Sequence, residues 1–220
     1  MSGQIQESRL DLEYFSTLRL AGTHPAMTAT IVVDSITRYE GNAGLTADLA
    51  RARGVAFTGL VTRGGDLADF RGGDSTVPIL RELSDELRRF LPSLPPSGVA
   101  EPGIQWVDTT EQRSTSSGVP LTIRAIAEHR VGEPGSRAGE AVLPIQTDAR
   151  YTFVGTGVQG GQTFEVQGSG QRTTAEFMSV AGRYLGLVTS DSSNFTITLA
   201  LSGLQITGRQ SRADTVSVVP

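Results

Sequence analysis

From residue 103 to its end the chain carries almost no segment with helical period, and this constrains its fold more than any other feature. In "NFTITLALS", Phe195, Ile197, Leu199 and Leu201 alternate with Thr196, Thr198, Ala200 and Ser202. A period of two gives a strand with one apolar and one polar face. In "PLTIRAIAEHR", Leu121, Ile123, Ala125 and Ala127 share a face, with Arg124, Glu128 and Arg130 opposite. The spacing predicts strands over 104–113, 119–131, 139–147, 150–157, 162–168, 172–180, 183–190, 194–207 and 213–219. The separators are turn chemistry: "SSG", "GEPGSRAG", "VQGG", "GSG", "AGR" and "DSSN". Strands so spaced, without helices between them, form an antiparallel sheet rather than βαβ units.

Upstream, "STLRLAG" (16–22), "TATIVVDSITRY" (28–39) and "GVAFTGLVTR" (54–63) also read as strands. One short helical turn fits between the last two, where Leu45 and Leu49 are four apart. "DSTVPILRELSDELRRFLPSLPP" is the one clear helix, expected over 76–91. Asp74, Ser75 or Thr76 caps it and Pro78 suits its first turn. Leu80, Leu83, Leu87 and Phe90 form one apolar stripe. Pro92, Pro95 and Pro96 end it. The expected architecture is mainly β: a curved antiparallel half-barrel of about 11 strands, with one amphipathic helix across its concave face. Residues 1–15 are read as a polar N-terminal segment and 16–220 as a single β-rich domain.

Gly155-Thr-Gly157-Val-Gln-Gly160 spells G-x-G-x-x-G after a strand-like run. A dinucleotide site needs a helix opening on the last glycine, inside a βαβ unit. After Gly160 the chain instead reads "GQTFEVQGSG", a strand pattern ending in two turn-like glycines, Gly168 and Gly170. With 26 glycines in 220 residues, the motif reads as a Gly-rich hairpin turn.

Composition excludes several chemistries. The chain has no cysteine, hence no disulfide, thiol catalysis or Cys-ligated metal. All 19 basic residues are Arg and the net charge is −4, a balance that attracts neither nucleic acid nor an anionic membrane. No apolar run is long enough to span a membrane as a helix. The start, "MSGQIQESRLDLEYF", does not read as a signal peptide. An outer-membrane barrel would need aromatic girdles that 6% aromatic content does not supply.

Candidate reactive residues are few. His24 and His129 are the two histidines. Neither has a second His at metal-ligand spacing, so a structural or surface role is expected for each. No G-x-S-x-G elbow supports a nucleophilic serine. Asp34 shares a face with Val32 and Ile36, and is expected to be paired or near a strand end. Asp66, Asp69 and Asp74 fall in "GGDLADFRGGDS", read as a solvated loop whose spacing does not fit an EF-hand. "NFT" at 194–196 matches the N-glycosylation pattern inside a predicted strand. No catalytic residue, metal or cofactor is expected.

The order of features carries a resemblance. A few strands precede an amphipathic helix ending in "FLPSLPP". Then comes "VAEPGIQWVDTTEQ", where Pro-Gly-x-x-Trp opens a strand, and a long Gly-rich meander. This layout, over roughly residues 16–219, resembles the LolA-like superfamily of bacterial envelope proteins, LppX-type lipoproteins among them. The resemblance implies an incompletely closed, curved sheet that binds lipids or acyl chains under helices. This chain departs from it in having one clear helix where lipoprotein carriers have several. The expected function is therefore non-catalytic binding of an apolar ligand, a lipid or lipoprotein acyl chain, in the periplasm or cell envelope. The expected ligand-binding residues are Leu80, Leu83, Leu87, Phe90 and Trp106. Contact with the membrane would come only through a lipid anchor absent from this chain. The alternative is a protein-interaction module that uses exposed strand edges and has no cavity.

Overall fold

A computed structural model describes residues 11–23, 26–40, 49–62, 65, 67–74, 76–88, 91–116, 119–137, 139–159 and 161–218. The chain is mainly β, with two antiparallel sheets and two short helices. It divides into two compact units, Met1–Leu91 and Pro92–Pro220, where one domain is expected from the sequence. The eleven strands are shared between the two sheets, and neither sheet closes into a barrel among the described residues.

The first unit holds β1 (Asp11–Ala21), β2 (Thr28–Glu40), β3 (Ala56–Val61) and β4 (Leu67–Gly72), paired in chain order. β1 begins inside the stretch read as a polar N-terminal segment. β4 replaces part of the expected acidic loop. Its pairing with β3 shifts register between Thr58 and Leu60, and Asp69 takes φ 50° beside this bulge. Helix α1 is one turn, Leu49–Ala52, and α2 spans Pro78–Leu87. The cap expected at Asp74, Ser75 or Thr76 does not form there: the first carbonyl of α2 is that of Val77, which accepts from Arg81 N at 3.2 Å. The Asp74 carboxylate makes a turn just ahead of the helix, accepting from Thr76 N and Thr76 Oγ1 at 2.9 and 2.6 Å. These bonds, the hydroxyl's first, hold the Asp74 pKa below the ordinary carboxylate value.

The apolar stripe of α2 faces inward. Ile79, Leu83 and Leu87 are fully buried and Leu80 nearly so, in one core with Ile31, Val33, Phe57 and Phe70. Phe57 and Phe70 stack with ring centres 5.7 Å apart. Alternate residues of β2 and every third or fourth residue of α2 therefore build a single sheet-on-helix core.

The second unit holds β5 (Gln105–Ser116), β6 (Val119–Val131), β7 (Gly135–Arg137), β8 (Glu140–Gln159), β9 (Gln162–Ser179), β10 (Tyr184–Leu199) and β11 (Gln205–Ser217). The order is β11-β10-β9-β8-β6-β5, with β7 pairing β8 at the side. Three expected breaks are absent. The runs 139–147 and 150–157 form one strand, as do 162–168 and 172–180. Residues 191–194, expected as a turn, lie within β10.

The physical reason is a cross-strand fit. "GSG" in β9 is not a turn: Phe153 of β8 lies over Gly168 and Tyr151 over Gly170. A Cβ on either glycine would stand 2.3–2.4 Å from those rings. Phe195 covers Gly208 in the same way, and Phe164 covers Gly157. Gly155 and Gly157 of the G-x-G-x-x-G motif thus lie in mid-strand as beds for Leu121 and Phe164, not in a phosphate loop.

Two substitutions test this packing by chemical denaturation. Leu83→Ala should cost about 2–5 kcal/mol, since the site is fully enclosed. Gly168→Ala should cost about 1–3 kcal/mol by forcing Phe153 off its bed. As a control, Gly135→Ala meets no atom within 4 Å and should change stability by no more than about 0.5 kcal/mol.

Candidate functional site

The registers of the second sheet place its side chains in rows. Trp106, His129, Thr147, Thr174, Thr189 and Asp214 form one row, followed by Asp108, Ala127, Ala149, Arg172, Asp191 and Arg212. Next come Thr110, Ala125, Tyr151, Gly170, Ser193 and Gln210, then Gln112, Ile123, Phe153, Gly168, Phe195 and Gly208. Leu121, Gly155, Val166, Ile197 and Ile206 lie beyond. All of these share one face, the aromatic face. The opposite, polar face carries Thr152, Ser169, Asn194 and Arg209 in a single row.

The aromatic face changes character from end to end. At the Trp106 end the side chains are enclosed: Val131, Ile145 and Leu187 are buried, and Trp106, Val131 and Ile145 form a small core with Ile104 and Met178. Glu176 is buried here and accepts from Ser93 N at 3.1 Å, a bond that satisfies a charge taken out of water. At the Phe153 end no residue is fully buried. Leu121, Ile123, Phe153, Phe164, Val166, Phe195 and Ile197 are half-buried, and Ile206 is 49% exposed. This is a broad apolar surface floored by rings lying on glycines.

A polar row separates the two ends. Arg172 Nη2 meets Asp191 Oδ2 at 2.6 Å, and Tyr151 OH donates to Asp191 Oδ1. Arg212 Nε donates to both Asp214 oxygens at 2.7 and 2.9 Å. Each guanidinium thus has its acid, so the row is not an anion site. Burial, then the hydrogen bond and the charge of Asp191, push the Tyr151 hydroxyl up to about 12.

His129 is buried, stacked on Trp106 with ring centres 4.6 Å apart and planes 5° from parallel. Its Nδ1 is 2.8 Å from Thr147 Oγ1 and its Nε2 is 3.2 Å from Asp108 Oδ2, which also accepts from Trp106 Nε1. Acid, imidazole and hydroxyl stand in line, as in a nucleophilic relay. The Thr147 hydroxyl, however, sits on an 8% exposed residue in mid-sheet. The surrounding N–H groups belong to the β6–β8–β9 ladders, so no donor pair is offered to an oxyanion. The expected structural role for His129 fits this packing.

The predicted ligand residues fall into separate units. Leu80, Leu83 and Leu87 lie in the first core, and Trp106 lies in the second. Phe90 lies outside the described residues, as do His24 and Asp66. Asp34 is exposed and accepts from Thr17 Oγ1 at 2.8 Å. Among the described residues no group of three or more acids or histidines is arranged to hold a metal, and no helix is long and apolar enough to cross a membrane. The polar face bears an open depression of about 780 Å³, lined by Thr152, Gln167, Ser169, Asn194, Thr196 and Arg209 among others. Compared with models of known families, with curated proteins and with solved structures, the chain matches none.

The Tyr151 environment gives a pH test. Its folded pKa lies above the unfolded value, so the stability it contributes is intact below about pH 10 and falls as pH rises toward about 12. Unfolding measured across that window should show a smaller alkaline loss for Tyr151→Phe than for the parent chain.

Proposed function

We propose that the chain is a non-catalytic binding protein of the bacterial cell envelope. Its ligand, a lipid or lipoprotein acyl chain, lies on the aromatic face of the second sheet. One observation carries this reading: the Phe153 end combines seven half-buried apolar side chains with rings packed over glycines. Glycine leaves no side chain standing above the backbone, so the surface is shallow and smooth enough for a flexible hydrocarbon. Covering it contributes about 25 cal/mol per Å² of apolar area, before association costs. Curvature of this sheet into the expected half-barrel would deepen the contact. Thr110, Gln112 and Gln210 are exposed and border the surface with groups that suit a polar ligand end.

The reading shifts the ligand surface away from the α2 stripe. Leu83 and Leu87 are fully enclosed in their own core, and would have to leave it to meet a ligand. Trp106 contributes as a buried support at the far end of the sheet. The envelope setting comes from the family resemblance. A protein-interaction role has one specific support, the outer edge of β11, which pairs on one side only among the described residues.

Native mass spectrometry after detergent-free purification should show co-purified apolar mass, or uptake of added palmitate. Val166→Asp puts a charge in the middle of the apolar surface and should weaken palmitate binding at least tenfold, with the circular dichroism of the sheet retained. A folded Val166→Asp chain that binds palmitate as the parent does would overturn the assignment, as would a parent that takes up none.

A further inference from the structure

β11 is an edge strand of the second sheet. Its register with β10 runs from Gly186↔Ser217 to Thr198↔Gln205 without a bulge. It contains no Pro, and its charged residues are Arg209, Arg212 and Asp214, of which only Arg209 is among the odd-numbered positions; Pro and charged side chains commonly blunt an edge. Its second side carries no strand among the described residues. In the extended β10–β11 register, Val218 N donates to Leu185 O and Leu199 N donates to Leu204 O. Even-numbered residues therefore turn their backbone groups toward β10. The odd-numbered ones, Gln205, Thr207, Arg209, Ser211, Ala213, Thr215 and Ser217, turn theirs outward. All seven are exposed.

We propose that β11 pairs with β11 of a second copy of this chain, antiparallel about a two-fold axis at Ser211, joining two seven-stranded sheets into one. A two-fold antiparallel contact must keep each face on its own side, so outward residues meet outward residues. Only the register centred on Ser211 pairs the whole strand, Gln205 against Ser217.

The side chains of this register complement themselves. Ile206 meets Val216 and Thr207 meets Thr215, while Arg209 faces Ala213 and Gln210 faces Arg212. These are favourable or neutral cross-strand pairs. Moving the centre to Arg212 sets two guanidinium groups opposite each other and unpairs Gln205. Moving it to Gln210 unpairs Ser217. Like-charge repulsion and lost backbone bonds thus select one alignment. The opposite edge, β5, is less open, with Glu111 and Arg113 among its outward residues and Glu111 held by Arg124 at 2.8 Å.

The test uses the full chain. Sedimentation velocity over a wide concentration range should show reversible dimerisation. Ser211→Pro removes an outward N–H while leaving the β10 ladder its own bonds, and should shift the chain to monomer. The chain has no native thiol, so a cysteine scan reads the register directly. Ser211→Cys should form an intermolecular disulfide by itself. Thr207→Cys should not, yet should cross-link when mixed with Thr215→Cys. This readout stands even if the proline variant fails to fold. A chain that is monomeric at every concentration overturns the proposal, leaving the edge to another partner. So does a dimer indifferent to Ser211→Pro, or equal self-cross-linking at positions 207 and 211.

Discussion

Long antiparallel strands carry bulky side chains on one face only if those side chains have somewhere to lie. In β8 and β9, strands of 20 and 18 residues, the room comes from the neighbouring strand. Phe153 and Tyr151 lie on Gly168 and Gly170, and Phe195 lies on Gly208. Each ring covers backbone that glycine would otherwise leave bare, and each glycine removes the side chain that would lift the ring. The sheet thereby gains ring-to-backbone contact at positions where glycine alone weakens a strand. The continuity of β9 through Gly168 and Gly170 and the apolar surface at the Phe153 end both rest on this exchange.

The same exchange explains what could and could not be read from the chain. Alternation of period two located most strands, and β6 matches its predicted span of 119–131. The helix was legible because Leu80, Leu83 and Leu87 repeat at helical spacing and Pro78 stands in its first turn. The merged strands were not legible. Gly168 and Gly170 look like a turn to any local rule, and only the register with β8 shows that rings occupy the space. β4 was hidden because its signal, "LADFRG", is short, carries charge and includes a positive-φ aspartate.

The candidate surface was half legible. Phe195 and Ile197 stood out as one face of a strand, but their partners Phe153 and Val166 join them only through pairings across the sheet. The helix stripe drew attention for a sound reason, since it is the chain's clearest helical apolar surface. Periodicity reports that a face is buried and is silent on what buries it. Here the answer is the four-stranded sheet and α2 themselves, which share one core.

Both sheets pair their strands in chain order, apart from the small β7 beside β8. Almost every long pairing is therefore made with the preceding or following strand, as in the β8–β9 hairpin that zips from Gln159↔Gln162 outward. Such an arrangement closes short loops one after another and never threads one strand between two others. It also makes the width of the sheet an adjustable quantity in evolution. A hairpin can be duplicated or lost at the β11 or β5 side while every remaining strand keeps its register, its neighbour and its glycine beds.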